Sequence, residues 1–335
     1  MLATLSLPPL HDPHFAPSRT VRARSADELR QAMRDPDRAA ITLDPSDLDR
    51  VLRLDAPRQL VEVQAGTPWS VLCSYLADAA PDLAPFANAN GMPRTIGECV
   101  AMNAAGPDGR PIVAHVESLA LVTPDGALRR TSRFAHRELF ALAIGGQGLF
   151  GVPYSVTLRL DSLTRGARDQ KLPATLELPA ADSEAQSMLK LLVPPQKLDT
   201  LLPQIRERCA DWRIPISGIA ARRVLPEQET VLRWARFECA ELTLGLPIPP
   251  AIGGSVRSVQ LRRELIDIAL AAGGGFPIAG TFDASREQAE SFYPELKTVF
   301  AEKRRRDPEE RLQNAWYVHY RGLLSREICP VRWSN

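Results

Sequence analysis

Apolar residues recur along the chain in two spacings, and each spacing predicts a different element. Leu60–Gln64 alternates apolar and polar residues, which favours a strand, and Val116–Val122 and Val152–Leu160 have the same β-rich character. A later segment places apolar residues three and four positions apart, which predicts an amphipathic helix that ends at the glycines 273–275. Its apolar face comprises Leu261, Leu265, Ile268, Ala269 and Ala272.

Local capping signals predict where helices begin. Ser25 with Glu28 and Ser285 with Gln288 have the spacing of capping boxes, and Thr67 is predicted to cap a helix whose first residue is Pro68. Weaker patterns predict short strands at 40–43, 128–131, 189–193, 217–224 and 237–244, and helices at 138–143 and 201–212. The order in the second half favours an α+β layer, with helices packed on one side of an antiparallel sheet.

Composition and charge narrow the class of protein. The 335 residues are 44% hydrophobic with a net charge of +1, which fits two globular domains and gives no electrostatic footprint for nucleic acid. The five cysteines are an odd number without a C-x-x-C pair, so a disulfide framework or a zinc site is not expected and a reducing cytoplasm is favoured. No apolar run is long enough to span a membrane, and the run Lys303–Arg306 is interpreted as a solvated helix end.

Two segments rich in small residues are candidates for ligand binding. In Thr95–Gly106, small residues would let the backbone approach a flat ligand, and amides could hold phosphate or ring oxygens. The alternative is a tight loop that needs small residues for packing, within a long glycine- and proline-rich region at 81–113. The second segment, Gly145–Gly151, lacks a following Lys-Ser/Thr and precedes a strand, so it is not a triphosphate loop.

Histidine spacing offers no metal site, and the chain has no G-x-S-x-G motif for a serine hydrolase. Tyr317, His319 and Tyr320 could line a site near the C-terminus, or they could simply pack a helix end.

Taken in order, four segments resemble the FAD-binding domain of the vanillyl-alcohol-oxidase (p-cresol-methylhydroxylase) type, and a fifth resembles the closing segment of that family. They read LVEVQAGTPWSVL, TIGECVAMNAAG, HVESLALVTPDGALRR, ELFALAIGGQGLFGVPYSVTLRL and ASREQAESFYP with DPEERLQNAWY. The chain is most similar to the subgroup that contains decaprenylphosphoryl-ribose oxidase. This resemblance implies an α+β fold in which a two-lobed FAD-binding domain is joined to a short α+β substrate domain.

The resemblance also implies domain boundaries and site residues. It implies an extended segment at 1–19, an FAD-binding-type domain at 20–165, a shortened substrate domain at 166–283 and a C-terminal segment at 284–335. The implied cofactor is FAD, bound non-covalently, with a small-molecule substrate or a protein partner. The implied cofactor-binding residues are Thr95, Ile96, Gly97, Glu98, Met102, Asn103, Ala104, Ala105, Gly106, Gly151, Val152 and Asn314.

The sequence departs from the family pattern at the places that contact FAD. No glycine occurs before Gly66, so the loop that wraps the diphosphate in the family has no counterpart between the first helix and the strand at 40–43. Glu98 replaces the second glycine of the T-V-G-G motif, and Phe276–Thr281 replaces an aromatic and cationic substrate strip. Two hypotheses therefore stay open: an oxidoreductase that transfers hydride from an alcohol or hydroxy-acid carbon to flavin, or a non-catalytic paralogue that binds FAD weakly or not at all.

Overall fold

The computed structural model describes residues 19–35, 40–44, 46–83, 95–106, 108–163, 186–247 and 252–325. Most of the extended segment predicted at 1–19, and the domain boundary predicted at 165/166, lie outside these residues. Within them the α+β class is confirmed, with three separate sheets.

The first lobe is small and is built around one β-α-β unit. Strand β1 (Arg19–Arg22) pairs in parallel with β2 (Ile41–Asp44), and helix α1 (Ala26–Arg34) connects them. Half of the predicted capping box is formed, because the Ser25 hydroxyl accepts from the Glu28 amide at 3.2 Å. The other half is displaced by one residue, since the Glu28 carboxylate accepts from the Arg24 amide. Leu312, near the C-terminus, forms a parallel bridge with Ile41 and joins the core of this lobe.

A five-stranded antiparallel sheet forms the second lobe, in the order β3-β4-β7-β5-β6. Its strands are β3 (Val51–Asp55), β4 (Leu60–Gln64), β5 (Val116–Val122), β6 (Leu128–Ser132) and β7 (Val152–Arg159). Its helices are α2 (Trp69–Ala79), α3 (Ile96–Met102) and α4 (Arg137–Ala143). Thr67 does not cap α2 as predicted: Pro68 is the N-cap residue, and the Thr67 hydroxyl instead donates to the Arg50 carbonyl.

The third sheet belongs to the second half and has the antiparallel order β8-β10-β9. It comprises β8 (Gln186–Val193), β9 (Gly218–Val224) and β10 (Cys239–Pro247), with α5 (Leu198–Asp211) and α6 (Ile252–Ala271). Alternation on β10 puts Leu242, Leu244 and Leu246 on the face that belongs to the main core. The predicted antiparallel α+β layer is therefore formed.

The last three helices of the described residues are α7 (Arg286–Phe292), α8 (Leu296–Arg306) and α9 (Ala315–Ser325).

The interpretation of Lys303–Arg306 as a solvated helix end is wrong for Lys303. Its side chain is fully buried and pairs with Asp307, because the next turn folds the Asp307 carboxylate back over the helix end. Tyr317 and Tyr320 are buried packing residues of α9, as the simpler alternative predicted.

Candidate functional site

The segment Thr95–Gly106 begins as a capped helix and not as the loop predicted for 81–113. The Thr95 hydroxyl accepts from the Glu98 amide and the Glu98 carboxylate accepts from the Thr95 amide, each at 3.2 Å. This reciprocal pair is a capping box. Glu98 is exposed, and its carboxylate is thus accounted for by the helix that it caps.

Gly97 explains why a small residue is required in this segment. Its amide donates to the Ala65 carbonyl oxygen at 2.6 Å, and a Cβ atom at position 97 would lie 2.7 Å from the same oxygen. The Ile96 amide donates to the Thr67 carbonyl at 3.1 Å. The glycine is therefore needed for close packing of α3 against the turn that follows β4, which is the structural explanation that the sequence left open.

Asn103 ends α3 and joins three parts of the chain. It has a left-handed backbone (φ 49°) and a fully buried side chain. Its side-chain oxygen accepts from the Val113 amide at 3.1 Å, and its side-chain nitrogen donates to Glu227 at 3.3 Å. The Trp234 indole donates to the Asn103 carbonyl at 3.0 Å. Every polar group of this residue has an internal partner, so it is a positioning residue for α3.

The glycine-rich loop after α4 is clamped to the end of α3. The Gly145 amide donates to the Val100 carbonyl and the Gln147 amide to the Ala101 carbonyl, each at 2.9 Å. Gln147 has a φ of 54°, an uncommon value for a residue with a side chain, and such strain concentrates at functional sites. The Asn314 side chain donates to the Gln147 carbonyl at 2.6 Å and accepts from the Tyr317 amide, so it ties this loop to α9.

One face of this assembly remains open. Ala101, Met102, Gln147 and Gly148 are all partly exposed, and a Cβ atom at Gly148 would meet nothing within 4 Å. We call these four residues the ring face. Three of its four residues are apolar or glycine, and the Gln147 side-chain nitrogen already donates to the Ala101 carbonyl at 3.2 Å.

The remaining predicted residues lie beside this face or behind it. Ala104, partly exposed, and Ala105, buried, continue the chain after Asn103, and the Ala105 carbonyl accepts from Arg222 at 3.1 Å. The Gly106 amide donates to the Arg110 carbonyl at 2.8 Å. Gly151 and Val152 are both buried, and Val152 packs in the first-lobe core.

The strip Phe276–Thr281, aligned with the family's substrate strip, is packed into the core. The Phe276 carbonyl accepts from the Tyr293 hydroxyl, and the Ile278 carbonyl accepts from the Trp316 indole at 3.1 Å. The Thr281 carbonyl accepts from the Tyr320 hydroxyl. Aromatic donors from α9 and from Tyr293 therefore occupy this backbone, and most of the strip is closed to a substrate.

A Ser-His-Asp cluster combines the buried side chains of His115 and Asp108 with the partly exposed Ser162. His115 is fully buried, with Nδ1 2.9 Å from the Ser162 hydroxyl and Nε2 3.1 Å from Asp108. The Ser162 hydroxyl also donates to the Arg159 carbonyl at 3.0 Å. Ser162 is partly exposed, but its hydroxyl donates its proton to the Arg159 carbonyl and not to His115, so the cluster is not arranged to activate the serine as a nucleophile.

Across the described ranges there is no group of three or more His, Cys, Asp or Glu residues that could hold a metal ion. In the same ranges, no helix has the length and hydropathy needed to cross a membrane.

Comparison with known proteins relates part of the chain to FAD-binding domains. Residues 28–132 match the family described as FAD binding domain. A stretch of 114 residues is 36% identical to the mitochondrial L-galactono-1,4-lactone dehydrogenase of Arabidopsis thaliana, and 35% identical to L-galactono-1,4-lactone dehydrogenase 2 of Oryza sativa subsp. japonica. The stretch covers 33% of this chain and 18% and 19% of those relatives. These matches support FAD as the cofactor of this domain and a relationship to FAD-binding oxidoreductases.

The backbone amides at the start of α3 are not available to a cofactor. Each amide from Thr95 to Glu98 already has an acceptor inside the chain. A diphosphate needs several free donors, and these four amides supply none. The partly exposed residues of the ring face are therefore the part of this segment that is open to a cofactor.

Several residues that build this site were missed from the sequence, among them Gln147, Arg222, Glu227 and Trp234. Gln147 had a usable signal, since it interrupts a run of glycines. Glu227 and Trp234 lie in the connection between β9 and β10, where no periodic pattern reveals a contact with α3.

Proposed function

We propose that this chain is an FAD-dependent oxidoreductase that oxidises a hydroxyl-bearing carbon of an alcohol or hydroxy acid. The observation that carries the proposal is the ring face, which contains Met102 of the segment that the family resemblance assigns to cofactor binding. The named relatives are lactone dehydrogenases, which supports a dehydrogenation of a sugar-derived or similar hydroxylated substrate.

The chemistry that FAD supplies when bound is two-electron acceptance, for which protein side chains have no equivalent. The chain itself would contribute position and shielding. Met102 and Gly148 would contact the ring, and Gln147 would fix the loop that carries Gly148. Asn103, Glu227 and Trp234 hold α3 against the β9–β10 connection, which keeps water away from the inner side of the ring face.

A second candidate is a non-catalytic relative that keeps the fold with little affinity for FAD. The specific observation in its favour is that the amides of Thr95–Glu98 are all satisfied internally. Each charge-assisted hydrogen bond that FAD fails to make removes about 1.5–3 kcal/mol of binding free energy.

Flavin titration of the purified protein distinguishes these functions. We expect quenching of flavin fluorescence by the protein, with FAD and FMN binding within about tenfold of each other, because the amides of Thr95–Glu98 offer no free donors to a diphosphate. Met102→Asp should weaken flavin binding at least about tenfold, because it places a charge against the ring. Val71→Asp, which puts the same charge on an exposed position of α2, is the matched control.

A protein that takes up neither flavin at high micromolar concentration would overturn the oxidoreductase proposal and favour the non-catalytic relative. FAD binding more than a hundredfold tighter than FMN binding would show that a diphosphate grip exists after all.

A further inference from the structure

An open groove lies where α5 ends and the chain turns towards β9. Its volume is about 470 Å³, which is within the range of small-molecule sites. Cys209 and Ile219, each 3% exposed, are its most buried lining residues. Ile214 and Ile216 also line it and are partly buried, since both pack against the main core. A molecule in this groove therefore meets a mostly apolar surface.

Two unpaired arginines also line this groove, and no acidic residue does. Arg206 lies on α5, and Arg213 lies two residues after the helix ends. Both are exposed, and within the described part of the chain neither forms an ion pair or a side-chain hydrogen bond. Asp211 pairs instead with Arg208 at 3.9 Å, and Glu207 follows Arg206 directly, a spacing at which helix side chains do not face each other. The two guanidinium groups are therefore available to a ligand.

Arginine is not the residue that the backbone favours at position 213. The Arg213 amide donates to the Ala210 carbonyl at 2.9 Å, and the following amide, of Ile214, donates to the Cys209 carbonyl at 2.9 Å. These two bonds form a Schellman motif, in which the residue after the C-cap has a left-handed backbone. Arg213 has a φ of 55°, where glycine is favoured because it lacks a Cβ atom. Such local strain concentrates at functional sites, so the turn supports a ligand-binding role for this side chain.

We propose that this groove binds an amphipathic oxyanion, whose charged head contacts Arg206 and Arg213 while its apolar chain lies against the isoleucines. Guanidinium groups bind oxyanions through charge-assisted hydrogen bonds, and burial of an apolar chain on Ile214 and Ile216 adds a hydrophobic contribution. An uncharged apolar molecule leaves the two cations unused, and a small inorganic anion leaves the apolar lining unused. The groove shares no residue with the ring face, so the inference goes beyond the proposed function and does not depend on it.

Calorimetric titration of the full chain with three related compounds tests the proposal. Octanesulfonate has an anionic head and an apolar chain, octanol has the chain with an uncharged head, and methanesulfonate has the head without the chain. Below its micelle concentration, octanesulfonate should bind at least about tenfold more tightly than either of the others, because only this compound uses both the cations and the apolar lining. Equal binding of octanol or of methanesulfonate, or no binding of octanesulfonate, would overturn the proposal.

Two arginines of α5 form a matched pair of variants. Arg206→Gln should weaken octanesulfonate binding about tenfold, because it removes the donors of one charge-assisted contact. Arg208→Gln is the control, since Arg208 is 46% exposed, pairs with Asp211 and Glu264 and does not line the groove. This control should bind octanesulfonate like the wild type. An Arg206→Gln protein with unchanged affinity contradicts the inference.

Arg213→Gly separates a ligand-binding role of this residue from a structural one. Glycine adopts the left-handed backbone without strain, so the variant should be at least as stable as the wild type in thermal unfolding. It should nevertheless bind octanesulfonate about tenfold more weakly, because the guanidinium is lost. A less stable Arg213→Gly protein with unchanged affinity would show that the arginine serves only the fold, and it would overturn the proposal. These titrations contain no flavin, so their outcome is independent of the test of the oxidoreductase.

Discussion

The corner between α1 and β2 and the open face of the three-stranded sheet both contain arginine, and the two arginines have opposite surroundings. At the corner, Arg311 is 4% exposed and donates to the carbonyls of Ala32, Met33 and Asp35 at 3.0–3.2 Å. On the sheet, Arg222 shares the Glu241 carboxylate with Lys190 and stays partly exposed. The same side chain can therefore lie almost fully buried against the carbonyls of a helix end or stay partly exposed in an ion cluster, and the two regions differ in burial and not in arginine content.

The difference also bears on FAD. The α1–β2 connection is where the family places its diphosphate loop, and here the end of α1 is satisfied by a side chain of the same protein. Arg311 interacts favourably with the negative end of the helix dipole and with the last carbonyls. The contacts of Arg311 therefore stabilise the packing of this corner, whereas those of Arg222 join β9 to β10 and to the end of α3.

The largest effect is expected at the corner. Arg311→Ala should destabilise the protein by about 3 kcal/mol or more, because a large buried side chain is removed and three carbonyls, one of them buried, lose their donor. Urea unfolding measures the change. Arg305→Ala, on an exposed part of α8, is the control and should stay within about 0.5 kcal/mol of the wild type. If Arg311→Ala lowers the free energy of unfolding no more than Arg305→Ala does, the guanidinium of Arg311 does not stabilise the corner.

An intermediate effect is expected beside the ring face. Asn103→Asp keeps the acceptor for the Val113 amide but places a second carboxylate against Glu227, so we expect a loss of about 2 kcal/mol at neutral pH. Adding Glu227→Gln should recover part of this loss, because it removes one of the two charges. Thermal unfolding of the single and double variants gives the coupling free energy between positions 103 and 227. An Asn103→Asp protein as stable as the wild type would show that the Asn103–Glu227 contact is not formed.

The smallest effect concerns how well two thiols are shielded from solvent, one in α3 and one in β10. Burial raises the pKa of Cys99, below the ring face, and of Cys239, on β10, to about 12 each, from an ordinary 9.0. In the unfolded chain these thiols ionise near 9.0, so from about pH 9 to pH 12 the unfolded state binds fewer protons and stability falls as pH rises. Measured only from pH 9 to pH 10, each thiol contributes up to about 1.4 kcal/mol to this loss, which is smaller than either effect above.

Alkylation with iodoacetamide at pH 8 gives a second measurement. Cys73, whose side chain is only partly buried, should react first, and Cys99 and Cys239 should be protected until the protein unfolds. Replacing Cys99 or Cys239 with alanine should flatten the alkaline loss of stability. Modification of Cys99 at the rate of Cys73 would contradict the closed packing below the ring face.

Periodicity predicted the strands well, but it did not predict the structure of the candidate ligand-binding segment Thr95–Gly106. Leu60–Gln64 and Val116–Val122 have the predicted bounds, because alternation with β-branched residues reports directly on a half-buried sheet. Helix α3 was missed within the region predicted as a loop, since its Gly, Ala and Cys residues carry no amphipathic pattern. The spacing of Thr95 and Glu98 was the available signal, as it is at Ser25 and Ser285.

The site itself was predictable only as a family pattern. The assignment of Thr95–Gly106 to flavin came from resemblance and stays a prediction, whereas the contacts of Asn103 depend on residues more than a hundred positions away. No local rule reveals such a contact. The strand predicted at 237–244 contains Glu241, but the pairing of Glu241 with Lys190 and Arg222 depends on the register of the sheet.

The bridge between Ile41 and Leu312 has a consequence for biosynthesis. Residues far apart in the sequence complete the same small lobe, so that lobe cannot mature before the segment that contains Leu312 has been synthesised. At a synthesis rate of roughly 5–20 residues per second, the nascent β1-α1-β2 unit would wait on the order of tens of seconds for its last strand partner. During this interval its apolar surface is a natural substrate for chaperones, and premature termination before Leu312 should yield a soluble second lobe with an incomplete first one.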